Sequence, residues 1–400
     1  MARECKGFQD ENDKEALERD LTLIGVFALQ DDLRPKIQNS VAYAQKGNII
    51  TRMVSGDHLE TAVYTAIKAG ILTEEESKMK NAVMNAEDFR KAVGGMRKEL
   101  DERGNVKYVI QNKKEFLSIA NRLRVLARAI PYDKHLLVVG LQDLNRAVAV
   151  TGDGINDVDA IRNGDVGFSM GSGCSVAKDA SDMILISDNF ESVTRAVMWG
   201  RNVYENVRRF LQFQITVNFS CLICVFASAV TQGDSFLGIV ELLWINLIMD
   251  SFAALALATE RPHGNIIRTP PVRQGDYILT KQHWRQIYGM VLYQVAIMII
   301  NLLFCSAIWG LKIADSTKTF SDGVATDWGK FVTILFNMFC YMQIFNFFNA
   351  RIISPKAFNI FDHFFSNLYF VIIVLGLIVL QYLICSADHS ALDIAKLTSE

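Results

Sequence analysis

The chain has 400 residues, half of them apolar, and a formal net charge of −2. A near-neutral chain lacks the basic patch of a nucleic-acid-binding protein, so no nucleic-acid partner is expected. The average hides two unlike halves: residues 1–209 hold most of the charge, whereas residues 210–385 are dominated by long apolar stretches. The charged first 20 residues do not have the pattern of a secretory signal peptide.

In the first half, short β-branched runs alternate with helical patterns. Strands are expected at 21–29 and 49–54, followed by a helix over 57–68. Residues 73–118 are charged and less patterned and read as a peripheral helical excursion. A strand at 124–129, a helix over 133–144 and strands at 148–150, 165–169 and 183–186 complete the series. Strands separated by helices imply one mostly parallel sheet covered on both faces.

From Glu191 a helical pattern runs through Arg208 and Arg209 into the apolar stretch 210–231. Such a helix couples a soluble unit to a membrane unit mechanically. Further apolar stretches are 236–258, 286–309, 328–348 and 364–385. Each is about twenty residues, enough to cross a bilayer, so an integral, multi-pass membrane protein is expected. Basic residues mark the cytoplasmic side: Arg201, Arg208 and Arg209 before the first span, then Arg261, Arg268, Arg273, Lys281 and Arg285, then Arg351 and Lys356. Five spans starting inside leave the C-terminus outside. The seven cysteines are scattered, and Cys221 and Cys224 form a CxxC inside a span, which reads as packing rather than zinc or redox chemistry.

Candidate chemistry collects after the strands of the first half, where open α/β sheets place it. Thr151-Gly152-Asp153-Gly154-Ile155-Asn156-Asp157 follows an apolar run. Its glycines allow a sharp turn, and Asp153, Asn156 and Asp157 offer hard oxygens that suit magnesium beside phosphate. Taken alone, it also reads as a solvated turn. Ser55-Gly56-Asp57 offers a hydroxyl and exposed amides for a phosphoryl oxygen, and equally suits a helix N-cap. Lys134 opens a helix after Arg128 and Pro131, either to neutralise a transferring phosphoryl group or as a surface lysine. In the apolar half, Asn246 and Asp250 are four apart and so share one helix face. A carboxylate inside a span costs roughly 2.5–3.5 kcal/mol on insertion scales and needs a partner or an ion.

These motifs together resemble a known family. TGDGIND (151–157), MVSGD (53–57), ARAIPYDK (127–134) and VAKDASDMIL (176–185) look like the phosphorylation domain of P-type ATPases. NVYENVRRFLQFQITVN (202–218) and LLWINLIMDSFAALALATE (242–260) are similar to spans five and six of plasma-membrane-type (IIB) calcium pumps, and FNFFNAR (345–351) to their span eight. The resemblance implies a partial haloacid-dehalogenase-like, Rossmann-type α/β domain over 1–200, an all-α transmembrane bundle over 201–385 and a tail over 386–400. It implies a translocase that exports Ca2+ with ATP and Mg2+, in the plasma membrane or an organelle membrane. By resemblance, Asp153 and Asp157 bind Mg2+, Asn156 the phosphoryl group and Lys134 the phosphate, with Arg128 near the nucleotide. Ser55, Gly56 and Asp57 cradle the phosphoryl group. Asn218, Asn246 and Asp250 become Ca2+ ligands.

The chain departs from the family pattern at several positions. Ser55 replaces Thr, Asp159 replaces Pro and Cys174 replaces Thr. Cys221 and Phe347 stand where two-site pumps are acidic, Met249 offers no oxygen, and Ala254 stands where sodium/potassium pumps have an aspartate, which together favour one calcium site. No Asp-Lys-Thr-Gly occurs within the 400 residues. The expectation is therefore a C-terminal pump portion, inactive alone. The alternative is a non-catalytic membrane protein that assembles with or regulates a full-length pump.

Overall fold

A computed structural model describes residues 22–25, 32–100, 106–232, 235–262, 266–268, 271–272, 275–310, 320–321, 324–351, 367–386 and 394–395. The α/β half opens with α1 (Ile37–Lys46), β1 (Met53–Val54), α2 (Leu59–Lys68) and α3 (Glu74–Ser77). It continues with β2 (Val83–Asn85), α4 (Ala86–Val93), β3 (Met96–Leu100), β4 (Val106–Ile110), α5 (Lys113–Ala120), β5 (Val125–Ala127) and α6 (Pro131–Asp143). It closes with β6 (Ala149–Gly152), a 3-10 turn (Ile155–Asp157), α7 (Val158–Asn163), β7 (Val166–Met170), α8 (Ser175–Ala180) and β8 (Met183–Leu185).

Local chemistry sets these boundaries. Thr73 and Glu76 form a reciprocal capping box on α3: the Glu76 N–H donates to Thr73 Oγ1, and the Thr73 N–H donates to Glu76 Oε2 at 2.8 Å. Pro131 starts α6, where its missing N–H has no helical partner to lose. Gly94 ends α4 with φ of +78°, the left-handed region that glycine enters without a Cβ penalty. At Gly140 in α6, an added Cβ would lie 2.3 Å from the Phe116 ring, so the absence of a side chain lets α5 pack directly on α6.

Among the described residues six strands are parallel, as expected, but form two sheets rather than one. One has the order β1-β5-β2 and the other β6-β7-β8. β5 pairs in register with both neighbours, Val125 with Met53 and with Val83. It is buried on both faces, which explains its continuous apolar sequence. β6 pairs only with β7 among the described residues, and its side chains alternate between exposed and half-buried. β1 likewise has one open edge.

Residues 73–118 differ from expectation. They supply β2 of the first sheet and an antiparallel hairpin, β3–β4, that joins neither parallel sheet. The expected strand at 21–29 lies mostly outside the described residues; Thr22 makes an isolated bridge and 23–25 belong to no element.

The apolar half begins within α9 (Phe190–Gln232), one unbroken helix of 43 residues. It is followed by α10 (Ile239–Leu243), a π turn (Trp244–Met249), α11 (Asp250–Ala258), a 3-10 turn (Ile266–Arg268), α12 (Lys281–Leu303) and α13 (Cys305–Trp309). A short hairpin, β9 (Phe320–Ser321) and β10 (Val324–Ala325), precedes α14 (Asp327–Arg351) and α15 (Leu368–Cys385). Five helical segments are long and apolar enough to cross a membrane, matching the five expected stretches. α14 is the most enclosed of them. Its Phe331, Phe336, Phe339 and Phe347 are fully buried, and Phe347 stacks on Phe213 of α9 at 4.4 Å. Cys221 and Cys224 are free and buried, consistent with packing. Arg273 and Lys356 lie outside the described residues.

Candidate functional site

Two clusters occupy the strand ends of the α/β half. In the first, the Ser55 N–H donates to Leu126 O at 3.0 Å and the Ala129 N–H to Ser55 O at 2.9 Å, extending the β1–β5 ladder past both strands. Ser55 Oγ donates to Asp57 Oδ2 at 2.7 Å and accepts from the Asp57 N–H at 3.1 Å. Arg128, with φ of +53°, turns the chain so that its own N–H reaches Asp57 O at 3.0 Å, and its guanidinium meets His58 Nδ1 at 2.8 Å. Gly56 is exposed. The Ser55 hydroxyl therefore serves its own turn and does not cap α2.

In the second cluster, Lys134 Nζ meets Asp157 Oδ1 at 2.5 Å, with both side chains less than one-fifth exposed. Asp157 lies flat on Gly152: a Cβ there would fall 2.5 Å from the Asp157 Cβ, so Gly152 makes the approach possible. Asp153 and Asn156 are exposed, and their side chains make no hydrogen bond among the described residues. The Asp153 carbonyl accepts from the Cys174 N–H at 2.9 Å, tying the turn to the start of α8. Lys134 is aimed by the residue before it. Asp133, fully buried, accepts from the Ile130 N–H at 2.9 Å and from Arg90 at 3.0 Å. Burial pushes its carboxyl above the usual range, against the pull of the Ile130 N–H and Arg90.

Lys134 and Asp157 are thus brought together, whereas Ser55, Gly56 and Asp57 bond within their own turn and to the β5 end. Among the described residues no cluster of three His, Cys, Asp or Glu forms a ready metal cage. Magnesium needs less: it keeps several waters and takes one or two carboxylates. The exposed Asp153 carboxylate and the nearby Asp157 fit that requirement.

In the apolar half, Asp250 is 6% exposed and accepts a hydrogen bond from Gln214 Nε2 at 2.6 Å. Asn218 and Asn246 are exposed, so Asn246 and Asp250 do not share one environment despite their spacing. The π turn ends at Met249, directly before Asp250, and widens the helix there. Contacts between α9 and α11 define an antiparallel register. Asn206 Nδ2 donates to Ala258 O at 3.3 Å, and eight residues on, Gln214 meets Asp250, eight residues back.

Nearer the end where α9 leaves the bundle, Glu260 accepts from Arg209 Nη1 at 2.6 Å and from Arg351 Nε at 3.0 Å. Arg351 is buried and lies over the Phe370 ring at 5.2 Å. It is the last residue of α14 and a structural ion partner, not a loop charge. Arg201 donates to Gly47 O at 2.9 Å and to Ile267 O, clamping α1 and the 266–268 turn to α9. Sequence reasoning missed Gln214 and Glu260. For Gln214 a signal existed: it precedes Asn218 by one turn in the same apolar stretch.

Comparison with known proteins addresses the family. The family described as "Cation transporting ATPase, C-terminus" matches residues 234–400. Plasma membrane calcium-transporting ATPase 1 of Gallus gallus is 38% identical over 386 residues, covering 95% of this chain and 30% of the relative. The chain belongs to the P-type cation-transporting ATPases. Plasma membrane calcium-transporting ATPase 3 of Homo sapiens is 39% identical over 387 residues, with 95% and 30% coverage. Putative calcium-transporting ATPase 13, plasma membrane-type, of Arabidopsis thaliana is 36% identical over 373 residues, with 93% and 33% coverage. This P-type ATPase chain therefore spans about a third of the length of the curated relatives it matches and is similar to their C-terminal portion.

Proposed function

We propose that the chain is a portion of an ATP-driven Ca2+ pump, supplying part of a haloacid-dehalogenase-like phosphorylation domain over 1–200 and five spans over 201–385. The observation that carries this reading is α9. One helix runs from the unit holding Lys134 and Asp157 into the bundle that buries Asp250. A buried carboxylate in a span marks an ion path by default, and oxygen donors favour calcium over softer metals.

In this reading Asp153 and Asp157 hold Mg2+, which supplies charge neutralisation to a transferring phosphoryl group. Lys134 keeps Asp157 oriented, and takes phosphate oxygens in turn. Asn156 and the Ser55–Gly56–Asp57 turn offer polar groups to the phosphoryl, and Arg128 lies on the nucleotide side. The open edges of β1 and β6 suit a strand carrying the phosphorylated aspartate. Asn218, Asn246 and Asp250 contribute to one Ca2+ site, completed by oxygens from a further span.

The test replaces the matching segment of the Gallus gallus relative with this chain and follows ATP-dependent 45Ca2+ uptake into vesicles. Uptake and a calcium-dependent phosphoenzyme are expected, with Asp250→Asn removing the calcium dependence and Asp153→Asn removing the phosphoenzyme. A folded chimera with no uptake, or Asp250→Asn with the parent's calcium affinity, overturns the reading.

A further inference from the structure

Among the described residues, Gln214 is the only hydrogen-bond partner of the Asp250 carboxylate. Two oxygens in this pair, Gln214 Oε1 and Asp250 Oδ1, are buried and accept no hydrogen bond. Buried acceptors are normally satisfied, so the pair holds unused capacity for a cation. The geometry points to Gln214 as a further ion-site residue: its amide donates to Asp250 when the site is empty and turns its oxygen onto the cation when one is bound. The inference rests on the reading of Asp250 as an ion ligand.

Three features support it. First, the terminal torsion of glutamine is broad and roughly two-fold. Exchanging Nε2 for Oε1 therefore needs no backbone movement. Second, an unpaired carboxylate in an apolar span is costly, and the amide N–H satisfies it without introducing a competing positive charge. A lysine or arginine at position 214 would satisfy Asp250 equally well but would repel the ion. Third, Gln214 and Asn218 are four apart on α9 and so lie on one stripe. The first of them meets Asp250 across α9 and α11. Asp250 is buried, Gln214 half-buried, and Asn218, one turn further on, is exposed. A purely structural interhelical bond would leave no reason for the orphaned Gln214 Oε1 beside the orphaned Asp250 Oδ1.

The test uses the full chain in lipid nanodiscs, with Tb3+ as the probe and its luminescence excited through the tryptophans. Comparing decay rates in H2O and D2O counts the waters on the ion. The quantity read is the fraction of bound Tb3+ that Asp250→Asn removes. Gln214→Leu should lower the affinity of that Tb3+ at least about 10-fold and add one water. Gln214→Glu keeps an oxygen and should retain the parent's water count. Parent affinity and water count in Gln214→Leu, with Asp250→Asn still abolishing the signal, would overturn the role of Gln214 alone. No Asp250-dependent Tb3+ at all would overturn the ion reading itself.

Discussion

Replacing Glu260 by Gln keeps the shape of the side chain and removes the one negative charge shared by Arg209 and Arg351. The Arg351 and Glu260 side chains are only 2% and 5% exposed, so their charges have little water to fall back on. Arg209 is 15% exposed and can partly rehydrate. Breaking a buried pair by removing one partner costs about 3–5 kcal/mol. At about 2–4 °C per kcal/mol for a bundle of this size, the midpoint should fall by at least about 6 °C. The free, buried Cys221, Cys224, Cys340 and Cys385 provide the assay, since a fluorogenic maleimide reacts with them as the bundle opens. Parent and variant are compared in detergent at one heating rate. Exchanging all three members for apolar residues should recover most of the loss, because the triad's net contribution after desolvation is small. A Glu260→Gln midpoint within about 1 °C of the parent would refute the argument.

Two further outcomes concern the α/β half. Gly140→Ala places a Cβ 2.3 Å from the Phe116 ring, well inside van der Waals contact, and should cost about 1–3 kcal/mol by overpacking. Faster amide exchange in α5 and α6 would register this, Phe116→Leu should restore protection, and unchanged exchange would mean the helices separate freely. His135 is held below its usual value of 6.5, mainly by burial and against the opposing pull of Asp159. As pH falls through 6.5 the unfolded chain takes up a proton that the folded chain resists, so stability drops on acidification and rises towards neutral pH. His135→Gln should flatten the stability profile between pH 7 and the lower folded value; equal slopes in the two proteins would contradict it.

The spans were legible because a bilayer-length apolar run has few other uses, and α9 because no proline interrupts it. β5 and β7 were legible for a related reason: each presents apolar side chains to a core, whereas β8 sends only Leu185 inward. β2 was not, because three residues of strand run directly into the helical pattern of α4. The β3–β4 hairpin was hidden because β3 exposes four of its five residues, so no buried face imposes an alternation. The division into two sheets was invisible too, since adjacency of strand edges is a matter of pairing rather than of local composition.

Site residues were legible as types and positions, not as partnerships. Spacing implied that Asn246 and Asp250 act from one face, yet the fold buries the second and exposes the first. What pairs with each acid was decided through space. Lys134 reaches Asp157 across 23 residues, Gln214 reaches Asp250 across 36, and Arg351 reaches Glu260 across 91. The physical logic is common to all three. A carboxylate withdrawn from water needs a donor, and the strength of that donor sets how readily a cation can take its place. Two guanidiniums on Glu260 make a lock that no ion displaces. A single ammonium on Asp157 leaves an acid that phosphate can compete for through Lys134. A neutral amide on Asp250 is the weakest of the three, which is why the proposal puts the exchangeable position inside the span.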